Sequence, residues 1–193
     1  MTRMMAVLIA SAIALGSTAQ AQKVQPPKRA SVDDPIVVFN EVCYGRVPDV
    51  GSIRDLATKL AWQPIKTDDL KQFTTIEAPR LLQGWDAQVG ERVFRIAIVR
   101  ATPPQSMSDA FPTFKDGLTT TCTMVLDEGY PSELISKNMQ TLARKEPISK
   151  DVDEGLLTST TWAGGNEKLK VFLVAKVGKH GKGGLLSVTV LQK

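Results

Sequence analysis

Hydrophobic and polar positions alternate most clearly between residues 92 and 100, where Phe94, Ile96 and Ile98 interleave with Arg95, Ala97 and Val99. A period of two marks a strand with one face turned to a core. Residues 81–86 form a second such segment, separated from the first by Gln88-Val89-Gly90, and Thr102-Pro103-Pro104 ends the pair. In residues 118–126, Leu118, Thr120, Cys122, Met124 and Leu126 share one face, and Thr119, Thr121, Thr123 and Val125 share the other. Residues 156–162, 168–177 and 185–191 read as further strands. The first two of these are joined by Ala163-Gly164-Gly165-Asn166, a typical hairpin-turn composition.

Helical spacing occurs in three places. Ile36, Phe39 and Val42 or Cys43 recur at helical intervals after Pro35, a residue suited to a first helical turn. Gly45 and Pro48 stop that helix. Asp49 is a natural N-cap for a second helix, with Ile53, Leu56, Ala57 and Leu60 as its apolar stripe and Pro64 as its limit. Residues 68–73 read as one short turn, and residues 105–114 as a loop with a helical turn near Ser108. Residues 132–144 give a third helix with Leu134, Ile135, Met139 and Leu142 inward. Arg144 and Lys145 suit its negative end, and Pro147 closes it. These elements predict an α+β fold: N-terminal helices packed on an antiparallel sheet of about five or six strands, with one inserted helix.

The start of the chain has a different grammar. Arg3, an apolar run over residues 4–15 and the ending Ala19-Gln20-Ala21 have the layout of a cleavable export signal. The run is shorter than the roughly 20 residues a helix needs to cross a bilayer. The expected division is a signal peptide over 1–21, a flexible polar arm over 22–35 containing Pro26-Pro27, and a single α+β domain over 36–193. Export places that domain in the periplasm or outside the cell, with no transmembrane segment in the mature chain.

That compartment changes the meaning of the two cysteines. Cys43 and Cys122 both follow the signal, and an even pair in an oxidising space favours a disulfide over free buried thiols, a dimer bridge or redox chemistry. The local patterns agree: Cys43 falls on the inward face of its helix beside Phe39, and Cys122 lies with the apolar set of its strand. Charge is uneven. The formal net charge is +4, yet residues 166–193 hold six Lys against one Glu, while residues 22–165 are slightly acidic. Lys179, His180 and Lys182, inside the glycine-rich stretch 178–184, are therefore a candidate polyanion-binding group, weighed against a plain solvated turn. A G-x-x-x-x-G-K-[ST] phosphate loop is not matched, since Gly183 is followed by Gly184 and Leu185. Outside the cytoplasm the relevant polyanions are headgroups, polysaccharides and acidic proteins, and nucleic acid is not expected.

Catalytic signatures are sparse. His180 is the only histidine, so a His-rich metal site and a serine triad have little to draw on, and no G-x-S-x-G, H-E-x-x-H or C-x-x-C is present. The pairs Asp33-Asp34, Asp68-Asp69 and Asp127-Glu128 fall in expected loops. Trp62, Trp85 and Trp162 lie near element boundaries, where they either line a groove or cap the core. No catalytic, cofactor or metal-binding residue is assigned. Phe39-x-x-x-Cys43 on an early helix, the short helix after it and the later Thr121-Cys122 strand resemble a group of small, uncharacterised exported bacterial proteins. The resemblance implies a signal peptide, a disulfide and a helix-plus-sheet domain, and it brings no activity or site residues. The expected function is binding of a protein or an envelope polyanion without catalysis. The alternatives are an envelope hydrolase whose carboxylates converge only in the fold, and a thiol redox protein.

Overall fold

The computed structural model describes residues 34–193 apart from Gly129 and Lys182. The expected signal peptide (1–21) and nearly all of the expected arm (22–33) lie outside the described residues. Eight antiparallel strands form one sheet in the order β1-β2-β3-β4-β8-β7-β6-β5. They are β1 (Gln63–Pro64), β2 (Leu81–Val89), β3 (Arg92–Ala101), β4 (Leu118–Leu126), β5 (Ser149–Glu154), β6 (Leu157–Gly165), β7 (Leu169–Gly178) and β8 (Gly184–Gln192). The sheet is two four-stranded meanders joined edge to edge by the β4–β8 pair, in which Cys122 lies opposite Val188.

Five short α-helices are spread along the chain: α1 (Pro35–Phe39), α2 (Val50–Lys59), α3 (Thr67–Leu70), α4 (Gln105–Ala110) and α5 (Ser132–Ala143). This corrects the expected layout. The sheet has more strands than five or six, and the helices are small and not gathered at the N-terminal end, since α3, α4 and α5 all lie between strands. The physical reason is visible in the two strands that the pattern misses. β1 is two exposed residues, one of them the proline that reads as a stop, and β5 is Ser-Lys-Asp-Val-Asp-Glu with no buried side chain. Both are edge strands, and an edge strand that buries nothing has no period-two signal to find.

Alternation decides which side chains enter the core. Ile96, Ile98, Cys122, Met124, Leu186 and Val188 are fully buried on one face of the central strands, where α1, α2 and α5 cover them. Asp34 caps α1 by accepting from the Ile36 amide at 2.8 Å, with Pro35 in the first turn. The helix then widens into a π turn over Asn40–Tyr44, closed by the Gly45 amide donating to the Asn40 carbonyl at 2.8 Å. That extra residue in the turn lets Phe39, Val42 and Cys43 all face inward. Asp49 caps α2 by accepting from Ser52, and the turn before it contains a cis Val47–Pro48 bond. Arg100 fixes this turn to the sheet, donating to the Pro48 carbonyl at 2.7 Å and to the Thr120 hydroxyl at 3.2 Å.

The opposite face has smaller covers. Leu70 of α3 is buried over Gly84, where a Cβ would collide with the Leu70 side chain and the Ile96 backbone. Beyond α4, Phe111 packs on Phe172 with ring centroids 5.5 Å apart, and Phe114 is buried. Between these covers runs a band of hydroxyls, with Thr121 bonded to Thr189 at 2.9 Å and Thr123 to Ser187 at 3.0 Å.

Candidate functional site

The two cysteines meet in the core. Cys43 and Cys122 form a disulfide with Cα atoms 5.4 Å apart, across 79 residues of sequence, and neither is exposed. Thiol exchange needs a path for an attacking thiolate, and this pair is sealed under the π turn.

The basic hairpin is partly committed to structure. The Lys179 ammonium donates to Asp153 Oδ2 at 2.7 Å, and its neighbour Lys176 donates to Glu154 Oε2 at the same distance. Each lysine reaches across β6 to the acidic end of β5, and each holds its carboxyl partner below the usual range, chiefly through the hydrogen bond. His180 is exposed in a tight turn with φ of 61°. Lys182 lies outside the described residues.

The acidic pairs do not converge. Asp34 serves as the α1 cap, and Asp33 lies outside the described residues. Asp68 is held below its usual range by its hydrogen bond to Lys71, at 2.8 Å. Asp127 shares an open groove with Asp86, but Arg95 stands there too and makes two hydrogen bonds to the Asp86 carboxylate. Among the described residues no group of three or more His, Cys, Asp or Glu side chains converges on a point.

A concavity of another kind lies between the N-terminal helix and α5. It is an open cleft of about 680 Å³ with Ile36, Val37 and Leu142 supplying apolar surface and Asn40, Asn138 and Arg144 supplying polar groups. At its inner end, where Tyr44 and Ala143 line both spaces, it adjoins a smaller recess of about 140 Å³ over β6 and β7. Trp162, Val171 and Leu173 wall the recess, Gly164 leaves room in it, and Lys145 is the only charged residue among the described residues that line it. The Lys145 ammonium lies 3.5 Å from where a Cβ on Gly164 would stand.

Local structure explains how these groups come together. Arg144 takes a left-handed conformation (φ 53°) that ends α5, so Arg144 and Lys145 follow directly from the helix's negative end. The π turn brings Asn40 and Tyr44 to the same cleft while Cys43 stays tied to the sheet. Among the described residues, the side chains of Asn40, Tyr44, Asn138, Arg144 and Lys145 make no hydrogen bond or ion pair, although each lines the cleft or its recess. The buried indole N–H of Trp162 also has no partner there.

Only part of this cleft is legible in the sequence. Arg144 and Lys145 were legible as helix-end cations and Trp162 as a groove or cap residue. Nothing marked Asn40, Tyr44 or Asn138, because isolated amides and hydroxyls carry no spacing signature. Gly164-Gly165 reads as a turn but belongs to β6, and Asn166 makes the turn instead, its side chain accepting from the Lys168 and Leu169 amides.

Comparisons of the chain with protein-family models, curated proteins and solved structures return no match. No helix among the described residues is long and apolar enough to cross a membrane.

Proposed function

We propose that the protein is an exported binding domain, working in the periplasm or outside the cell, whose ligand occupies the cleft between α1 and α5. The observation that carries this reading is the set of five polar side chains, Asn40, Tyr44, Asn138, Arg144 and Lys145, that line a concave surface without partners among the described residues. Free donors and acceptors beside apolar walls are the usual composition of a small-molecule or peptide site. The disulfide supports the extracytoplasmic setting, since such bonds persist where thiols are oxidised. The Lys179 hairpin is the weaker seat for a ligand, because a lysine already bonded to a carboxylate has less charge to offer a polyanion.

Amide NMR mapping on the mature chain, titrated with low-molecular-weight envelope extracts, tests the reading. Shifts concentrated on Asn40, Tyr44, Asn138 and Lys145 are expected. Shifts confined to residues 178–184 that vanish in high salt would return the function to the basic hairpin. Intact mass of protein recovered from cells tests export, with cleavage after Ala21 as the expected result.

A further inference from the structure

The recess at the end of the cleft narrows the choice of ligand. We infer that it holds a carboxylate bearing a short apolar group, such as a small carboxylic acid or the C-terminal residue of a peptide. This rests on the cleft being the binding site. Its walls are Trp162, Val171 and Leu173, which favour an apolar substituent over a sugar or a phosphate. Its volume of about 140 Å³ suits a short side chain rather than a ring system.

The polar chemistry at this end is one-sided. The Lys145 ammonium stands at the recess, and Arg144 lines the adjoining cleft. Neither has a carboxylate partner among the described residues; Asp34, the one acid among the described residues lining the cleft, caps α1 through one oxygen and does not line the recess. Donors in excess beside an apolar pocket call for a ligand that supplies acceptors and negative charge with an apolar appendage. A carboxylate does both, and it accepts charge-assisted bonds from lysine and arginine. Asn40 and Asn138, further along the cleft, match the amide groups of a peptide that continues outward.

Calorimetric titration of the mature protein with valerate, N-acetyl-valine, N-acetyl-alanyl-valine and the C-amidated form of that dipeptide tests the inference. The free acids are expected to bind, and amidation is expected to weaken the dipeptide at least tenfold, since one lost charge-assisted hydrogen bond corresponds to about that factor. Lys145→Gln should cause a similar loss. Tighter binding of the dipeptide than of valerate identifies a peptide terminus as the source, and equal binding identifies a free acid. Gly164→Val is the decisive variant. It fills the recess from β6, where a Cβ meets only the Lys145 ammonium, and valine suits a strand, so the protein should fold and melt no lower than the parent. Loss of acid binding in that folded variant supports the inference. Equal affinity for the amidated dipeptide, or binding untouched by Gly164→Val, overturns it while leaving the cleft as the site. Absence of binding by every acid also overturns it, and cleft shifts caused by neutral extract components then show that the broader reading stands without it.

Discussion

Arg100 lies on the inner face of the sheet, where period-two alternation calls for an apolar residue, and it is there to hold a backbone turn. Its guanidinium supplies the hydrogen bonds that fasten the Pro48 carbonyl and the Thr120 hydroxyl. Arg100→Met keeps the apolar stem but leaves those acceptors without a donor. The expected cost is about 2 kcal/mol, read as a lower urea midpoint with an unchanged slope. Trp162 presents the opposite case. Its buried N–H has no partner among the described residues, so Trp162→Phe removes an unsatisfied donor along with some packing. The two effects oppose each other, and a melting temperature within a few degrees of the parent is expected. Tyr130 makes a third residue-scale prediction. Burial raises its pKa above 10.0, only partly offset by the Arg92 guanidinium that donates to its hydroxyl and stacks on its ring. The folded state therefore holds the phenolic proton more tightly than the unfolded chain, a stabilisation present below pH 10 and lost as pH rises through the raised value. Absorbance at the tyrosinate band should show a late-titrating phenol that disappears in Tyr130→Phe.

At the level of elements, the chain was legible wherever a side of it is buried. The pattern over residues 118–126 has the same bounds as β4, because Cys122, Met124 and Leu126 share the buried face and threonines dominate the positions between. The helix over residues 132–144 ends within one residue of α5, where the left-handed Arg144 stops it. What escaped was structure held by partners instead of burial. β5 is kept in place by pairing with β6 and by the Asp153–Lys179 and Glu154–Lys176 bridges, none of which a local pattern reveals. The cleft escaped for a related reason: it joins residues from the π turn, α5 and β6 that only tertiary packing makes neighbours. The bridges give a prediction at this scale. Asp153 and Glu154 have folded pKa values depressed below 3.8 and 4.5, so their contribution is present above those values and lost as pH falls through the lowered ones. Thermal stability should decline as pH drops below about 4.5, and the Asp153→Asn, Glu154→Gln double variant should flatten that decline.

For the whole molecule, the sequence shows no repeat, yet the sheet is built from two four-stranded halves, each preceded by a helix, with α3 and α4 inserted between strands of the first half only. The first half is β1 to β4 after α2, and the second is β5 to β8 after α5. The halves meet along β4 and β8, directly beneath the disulfide. Replacing both cysteines by alanine reopens a loop spanning 79 residues, and a loss of roughly 4 kcal/mol is expected at most, checked by denaturation of parent and variant side by side. The central position of β8 bears on the order in which the chain becomes available to fold. A polypeptide emerges N-terminus first, from a ribosome or through a secretion pore, and β8 is the sheet strand latest in sequence. Until residues 184–192 have emerged, β4 lacks its partner and the two meanders have nothing to join them. The joined sheet therefore closes late, once the whole of β8 is free to pair with β4, however the chain is delivered.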